Sequence, residues 1–123
     1  MKPLRIYIAG PYTPRNCSLH DAARQAQKNV DLAIDIGNQL IELGCYIFVP
    51  HLSHYMHLRQ YIPVDPNWWY LEDNTFLDYW ANAIFYISSS KGADEELERA
   101  KKLGLLIFYN LGEVKEYLEK KEF

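Results

Sequence analysis

The chain has 123 residues, a net charge of -3, 49% apolar residues and 24% charged residues, an ordinary make-up for a globular protein with room for one hydrophobic core. There is no surplus of basic residues to neutralise a phosphate backbone, so no nucleic-acid polymer is expected as a partner. The longest apolar runs, such as 105–109, are too short to span a bilayer, and the N-terminus enters a strand without a signal-peptide layout, so no membrane association is expected.

Cys17 and Cys45 match no metal or redox motif and read as free thiols of a reducing cytoplasm. Arg5-Ile6-Tyr7-Ile8-Ala9 is a short β-rich run, stopped by Gly10-Pro11. A polar loop follows over 11–19. From His20 to Leu43 the apolar residues Ala26, Val30, Ala33, Ile34, Gly37, Leu40 and Ile41 repeat at helical spacing, with Gly44 as a C-cap. Residues 45–49 form a second strand, closed by Pro50. The segment 51–72 is the least regular, and its Trp68-Trp69-Tyr70 cluster reads as a pocket wall. A helix is predicted over 73–81, a strand over 84–87, a helix over 92–103, a strand over 105–109 and a closing helix over 113–120. No repeat, low-complexity segment or linker interrupts this order, so residues 1–123 read as a single domain.

Strands that alternate with helices and are apolar almost throughout predict an α/β fold: a parallel sheet of four to five strands with helices on both faces. Ligands of such sheets bind beyond the carboxyl ends of the strands. That rule gathers Gly10–Asn16, His51–His57, Ser88–Lys91 and Asn110 on one rim. The convergence argues for a small-molecule site.

Glu96 is the most informative residue. In the helix after the third strand, Ala93, Leu97, Ala100 and Gly104 form the inward stripe, whereas Glu95, Arg99 and Lys102 face out. Glu96 falls in the row of Ala93, Ala100 and Leu103, on the flank of the apolar face. A carboxylate there is costly unless it is used; the alternative is a boundary Glu answering Lys91. A second acid would suit glycosidic chemistry, in which one carboxylate attacks or stabilises the sugar cation and another group handles the leaving-group proton. Asp73 and Asp78 are the candidates, although Asp73 also suits a helix start and Asp78 a solvated mid-helix position.

Gly10-Pro11-Tyr12 follows the first strand, and Gly10 offers close backbone approach to a ligand. No GxGxxG or Walker pattern exists, which disfavours a dinucleotide or ATP. Ser88, Ser90, Lys91 and Gly92 lead into a helix N-terminus suited to an anion or to sugar hydroxyls, and Ser90 also suits a simple cap. His51, His54 and His57 are spaced by three, which invites a metal. The pattern supplies no matching carboxylate or Cys, so a pocket mouth or subunit contact is the better reading and no metal or cofactor is expected.

Tyr7-Ile8-Ala9-Gly10-Pro11-Tyr12-Thr13, Val49-Pro50-His51-Leu52-Ser53-His54 and Ser90-Lys91-Gly92-Ala93-Asp94-x-Glu96 together resemble the nucleoside 2-deoxyribosyltransferase-like proteins, especially their small archaeal-type branch. The resemblance runs from about Arg5 to Tyr109. It implies a flavodoxin-like sheet and chemistry at the N-glycosidic bond of 2′-deoxynucleosides or their 5′-monophosphates. The family's Gly-x-x-x-Glu motif maps onto Gly92 and Glu96, which makes Glu96 the nucleophile that forms a deoxyribosyl ester. Water then gives hydrolysis and a second base gives transfer. The family's upstream Asp falls near Asp73 by the match Asp73-x-x-Phe76-Leu77. The spacing from Asn82, which stands where an Asp is common, selects Asn74 instead. Tyr7 and Gly10 match pocket-lining positions; Ser88, Ser90 and Lys91 match the loop that meets a 5′-phosphate, and Arg15 is a second phosphate candidate. The family also implies a homodimer or larger homo-oligomer, with 61–70 as a natural contact. Two rivals carry different chemistry: a nucleoside- or nucleotide-binding module without turnover, and a metal-dependent enzyme built on the three histidines.

Overall fold

The structure, a computed structural model, describes residues 3–12, 19–57, 59 and 65–121. In chain order the elements are β1 (Arg5–Ala9), α1 (Leu19–Glu42), β2 (Tyr46–Phe48), a 3-10 turn (Pro50–Leu52), α2 (Ser53–His57), α3 (Pro66–Tyr79), β3 (Ala83–Tyr86), α4 (Lys91–Leu103), β4 (Leu106–Phe108) and α5 (Leu111–Lys121). The four strands form one parallel sheet in the order β2-β1-β3-β4. This is the order of flavodoxin-like α/β folds, whose topological switch lies between β1 and β3.

Alternation along β1 assigns the two faces. Ile6 and Ile8 are fully buried on one side with Ala33 and Leu40 of α1, Phe85, Phe108 and Val114 of α5. Tyr7 and Ala9 are fully buried on the other with Leu77 of α3, Ile84, and Ala93 and Ala100 of α4. Each large side chain buried here contributes about 1.5–3 kcal/mol of transfer free energy. The central strand therefore lacks a polar face, as its nearly unbroken apolar run implies.

Most predicted elements lie where the periodicity sets them, but the stretch before β3 differs. The described residues of 51–72 are largely helical: they hold the 3-10 turn, α2 and the first half of α3, while 58 and 60–64 lie outside the described residues. Helix α3 starts at Pro66 rather than Asp73, with Asp65 as its cap accepting from Asn67 N at 2.9 Å. Trp68-Trp69-Tyr70 is thus helical. Gly44 and Gly104 end their helices at φ 88° and 74°. Gly104 is the exposed C-cap of α4 and leaves the inward stripe to Ala93, Leu97 and Ala100.

At the opposite rim, Asn82 stitches the start of the sheet. Its Oδ1 accepts from Arg5 N at 2.7 Å and its Nδ2 donates to Pro3 O at 3.0 Å. Its backbone N–H bonds Arg5 O at 3.0 Å, and its carbonyl takes Leu106 N at 3.1 Å. Asn82 therefore stands at the N-terminal ends of the strands, away from the ligand-binding rim.

Candidate active site

Glu96 is carried inward by α4. Ser90 caps that helix through a 3.1 Å bond from Ala93 N, and Ala93 and Ala100 seat it on the sheet. Glu96 lies one turn after Ala93 and one before Ala100, so it points along the same face and is partly buried. Below it stands Tyr7, at the centre of the sheet with its ring wholly buried. The Tyr7 hydroxyl donates to Glu96 Oε2. Asp73 enters from α3, one turn before the buried Leu77 and close enough to repel charge on both Tyr7 and Glu96.

The electrostatics push both acids the same way. Burial lifts the Glu96 carboxyl to about 7; the Tyr7 hydroxyl pulls it down, and Asp73 and Glu95 push it up. Burial also lifts Asp73 to about 7, with a smaller push from Glu72. Burial, then Glu96 and Asp73, hold the Tyr7 phenol well above its ordinary value, so it stays a donor. Both carboxyls are thus pushed towards their neutral forms, chiefly by burial. Glu96 has a donor that favours its charged form; Asp73 accepts no hydrogen bond among the described residues. When one proton remains on the pair, this asymmetry favours Asp73 as its holder and Glu96 as the anion.

Two aromatic rings complete this side. Phe48 is the register partner of Tyr7 on β2, with ring centroids 5.6 Å apart. Phe76 of α3 stacks on Phe48 at 3.9 Å and 11°. Neither phenylalanine was among the sequence candidates, because their contact arises only when β2 and α3 meet.

The candidates after β1 and β2 do come together. His51 is buried, and its Nε2–H is shared by the carbonyls of Gly10 and Pro11, each at 3.2 Å. Burial lowers its pKa against the pull of those carbonyls, and its Nδ1 is an acceptor without a partner among the described residues. The Tyr12 hydroxyl and His54 Nδ1 are hydrogen-bonded at 2.6 Å, and His54 Nε2 meets Gln27 Oε1 at 3.2 Å. Both nitrogens of His54 are thereby engaged within the protein. Among the described residues no group of three or more His, Cys, Asp or Glu side chains could hold a metal ion. The side chain of His57 and all of Arg15 lie outside the described residues. The close approach at Gly10 is to the fold itself: a Cβ there would meet the Ile87 side chain at 3.0 Å.

The loop before α4 is partly committed. Ser90 serves as the cap, and Ser89 donates to Asp94 at 2.7 Å, as does Tyr86 at 2.6 Å. These two donors, Tyr86 first, hold Asp94 below its ordinary value. Ser88, Lys91 and Gly92 remain exposed, and a Cβ on Gly92 would meet nothing within 4 Å. Of the other acids and amides, Asp78 is tied to Arg99 of α4 in a forked ion pair and is not a solvated charge. Asn74 is buried beside Asp73 on α3 but carries no titratable group.

Comparison of the chain with family models, with curated proteins and with solved structures gives no match.

Proposed function

We propose that the protein cleaves the N-glycosidic bond of 2′-deoxyribonucleosides or their 5′-monophosphates through a covalent deoxyribosyl–Glu96 intermediate. The observation that carries this reading is the pair Glu96 and Asp73. Two partly buried carboxyls are both pushed up to about 7, and the hydroxyl of Tyr7, on the strand beside the β1/β3 switch, is bonded to one of them. The resemblance of the Gly92–Glu96 and Tyr7–Tyr12 segments to nucleoside 2-deoxyribosyltransferase-like proteins supports the same chemistry.

Ionised Glu96 attacks C1′ as the C1′–N bond breaks and its electron pair leaves with the base. Protonated Asp73 gives its proton to the departing base nitrogen. The products of this half are free base, a deoxyribosyl ester of Glu96 and an Asp73 carboxylate. In the second half Asp73 takes a proton from water as the water oxygen attacks C1′, and Glu96 leaves as a carboxylate. A second base in place of water closes a transfer instead of a hydrolysis. The Tyr7 hydroxyl holds Glu96 in position and favours its charged form. The preference for a 5′-phosphate rests on the exposed Ser88 and Lys91, because Ser89 and Ser90 already serve the loop.

This reading takes the protein to work in the cytoplasm as a homodimer or larger homo-oligomer. Trp68, Leu71 and Tyr79, exposed by 51%, 58% and 86% on the outer face of α3, are an apolar surface for a second copy. The described residues include no helix long and apolar enough to cross a membrane.

The test is chromatography of the purified protein with the four 2′-deoxynucleosides and their 5′-monophosphates, each with and without a free acceptor base. Base released without an acceptor identifies a hydrolase, and new nucleoside formed only with one identifies a transferase. Silence over the whole panel, or base release that survives Glu96→Ala, removes the proposal.

A further inference from the structure

Phe48 touches both arms of the carboxyl pair. On the sheet it lies beside Tyr7, its register partner, with rings 5.6 Å apart and tilted by 39°. Tyr7 in turn holds Glu96 through its hydroxyl. On its other side Phe48 meets Phe76 at 3.9 Å, with the planes only 11° from parallel. Phe76 sits one turn after Asp73 on the same face of α3. One ring therefore connects the β1–Glu96 arm to the α3–Asp73 arm.

Two stacked planes make a stiff contact. Aromatic rings have only two side-chain torsions and cannot flatten further, whereas an aliphatic side chain can re-pack among rotamers. The seating of α3 on the sheet does not depend on this stack alone, because Leu77 of α3 and Ala81 just past its end are already buried there. Both rings, moreover, are only partly buried. The stack thus sits at the margin of the core, against the ring of Tyr7 on one side and one helical turn from Asp73 on the other.

We propose that the Phe48–Phe76 stack is a spacer that fixes the separation of the Asp73 and Glu96 carboxyls, which makes Phe48 a positioning residue. The proposal rests on the reading that these two carboxyls are the working pair. In-line attack on C1′ from one carboxyl and proton delivery from the other tolerate little misplacement; an error of about 1 Å can cost about a hundredfold in rate. The ionisable groups acting on the pair are Tyr7 from β1, Glu72 from α3 and Glu95 from α4, and Tyr70 of α3 acts on Tyr7. Phe48 acts on the pair by distance and by excluding water, not by charge.

The experiment compares wild type with Phe48→Leu, Phe48→Tyr and Phe76→Leu. The side-chain carboxyls of Asp73 and Glu96 are titrated by carbon NMR in each folded protein. The substrate giving the fastest base release is then used for kcat and KM across pH. Phe48→Leu is expected to lower kcat about tenfold or more with KM held within about twofold. Both carboxyls should also titrate at lower pH than in wild type, because water enters beside them. Phe48→Tyr keeps the flat ring and should restore both properties; Phe76→Leu should repeat the loss from the α3 side, and it decides the matter if Phe48→Leu does not fold. Unchanged carboxyl titration in a folded Leu variant overturns the spacer. So does a rise in KM alone, which would make the ring a substrate wall. If wild type releases no base from any nucleoside, the functional reading fails by itself, and the carboxyl titrations still judge the spacer.

Discussion

Replacing Glu96 by Gln should abolish turnover and, at the same time, stabilise the protein in alkali. The native carboxyl is held at about 7, against 4.5 for the free side chain. That difference corresponds to about 3 kcal/mol. The sign follows from proton counting: between pH 4.5 and about 7 the folded protein keeps a proton that the unfolded chain has released. Stability therefore falls as pH rises through that window and is level on either side of it. Gln is uncharged in both states, nearly the same in shape, and its amide oxygen still accepts the Tyr7 hydroxyl. Some of the gain is lost because Asp73 also relaxes when its charged neighbour goes. The expected stabilisation is about 2 kcal/mol at about pH 8.5 and less than about 0.5 kcal/mol at about pH 4.5. Urea unfolding followed by the fluorescence of Trp68, Trp69 and Trp80 measures it, beside chromatographic assay of base release. A variant that is equally destabilised at both pH values would make Glu96 a structural residue. Full turnover by the variant would remove it from the chemistry.

Three further outcomes follow from the same geometry. Tyr7→Phe removes the hydroxyl that lowers Glu96, so the Glu96 carboxyl should titrate higher still; carbon NMR of the side chain reads this, and a downward shift contradicts the assigned bond. Asp73→Asn should slow base release by about 10²–10⁴-fold and abolish the alkaline fall in kcat, because the proton donor is gone; a pH–rate profile that keeps its alkaline limb places the acid elsewhere. Asn82→Ala should cost about 1 kcal/mol by unpairing the partly buried Arg5 N, with kcat and KM unchanged; a changed KM would mean that the far rim of the sheet reaches the site after all.

What the sequence reveals and what it conceals have separate physical causes. The strand around Tyr7 is legible because an apolar run ends abruptly at Gly10-Pro11, and α1 because its stripe repeats over many turns. The start of α3 was obscured because its outer face carries Trp68, Leu71 and Tyr79, which blur the helical period; the Asp65-Pro66 start signal was present nonetheless. Glu96 could be picked out because one residue on the flank of an apolar stripe is a local property of a helix. Its bond to Tyr7 spans 89 residues and depends on how α4 lands on the sheet, which no local pattern encodes. The choice among Asp73, Asn74 and Asp78 needed the same tertiary information. Asn74 is buried beside Asp73, so spacing alone cannot separate them, and only the assembled helices show which group carries a displaced proton. Asp78 is neutralised by Arg99, which lowers its pKa and leaves it ionised, the wrong state for an acid that must donate. Asp73 has burial without a cation, the condition that keeps a carboxyl protonated near neutral pH. The absence of that compensation sets Asp73 apart from its neighbours, and the pH–rate profile of Asp73→Asn tests it.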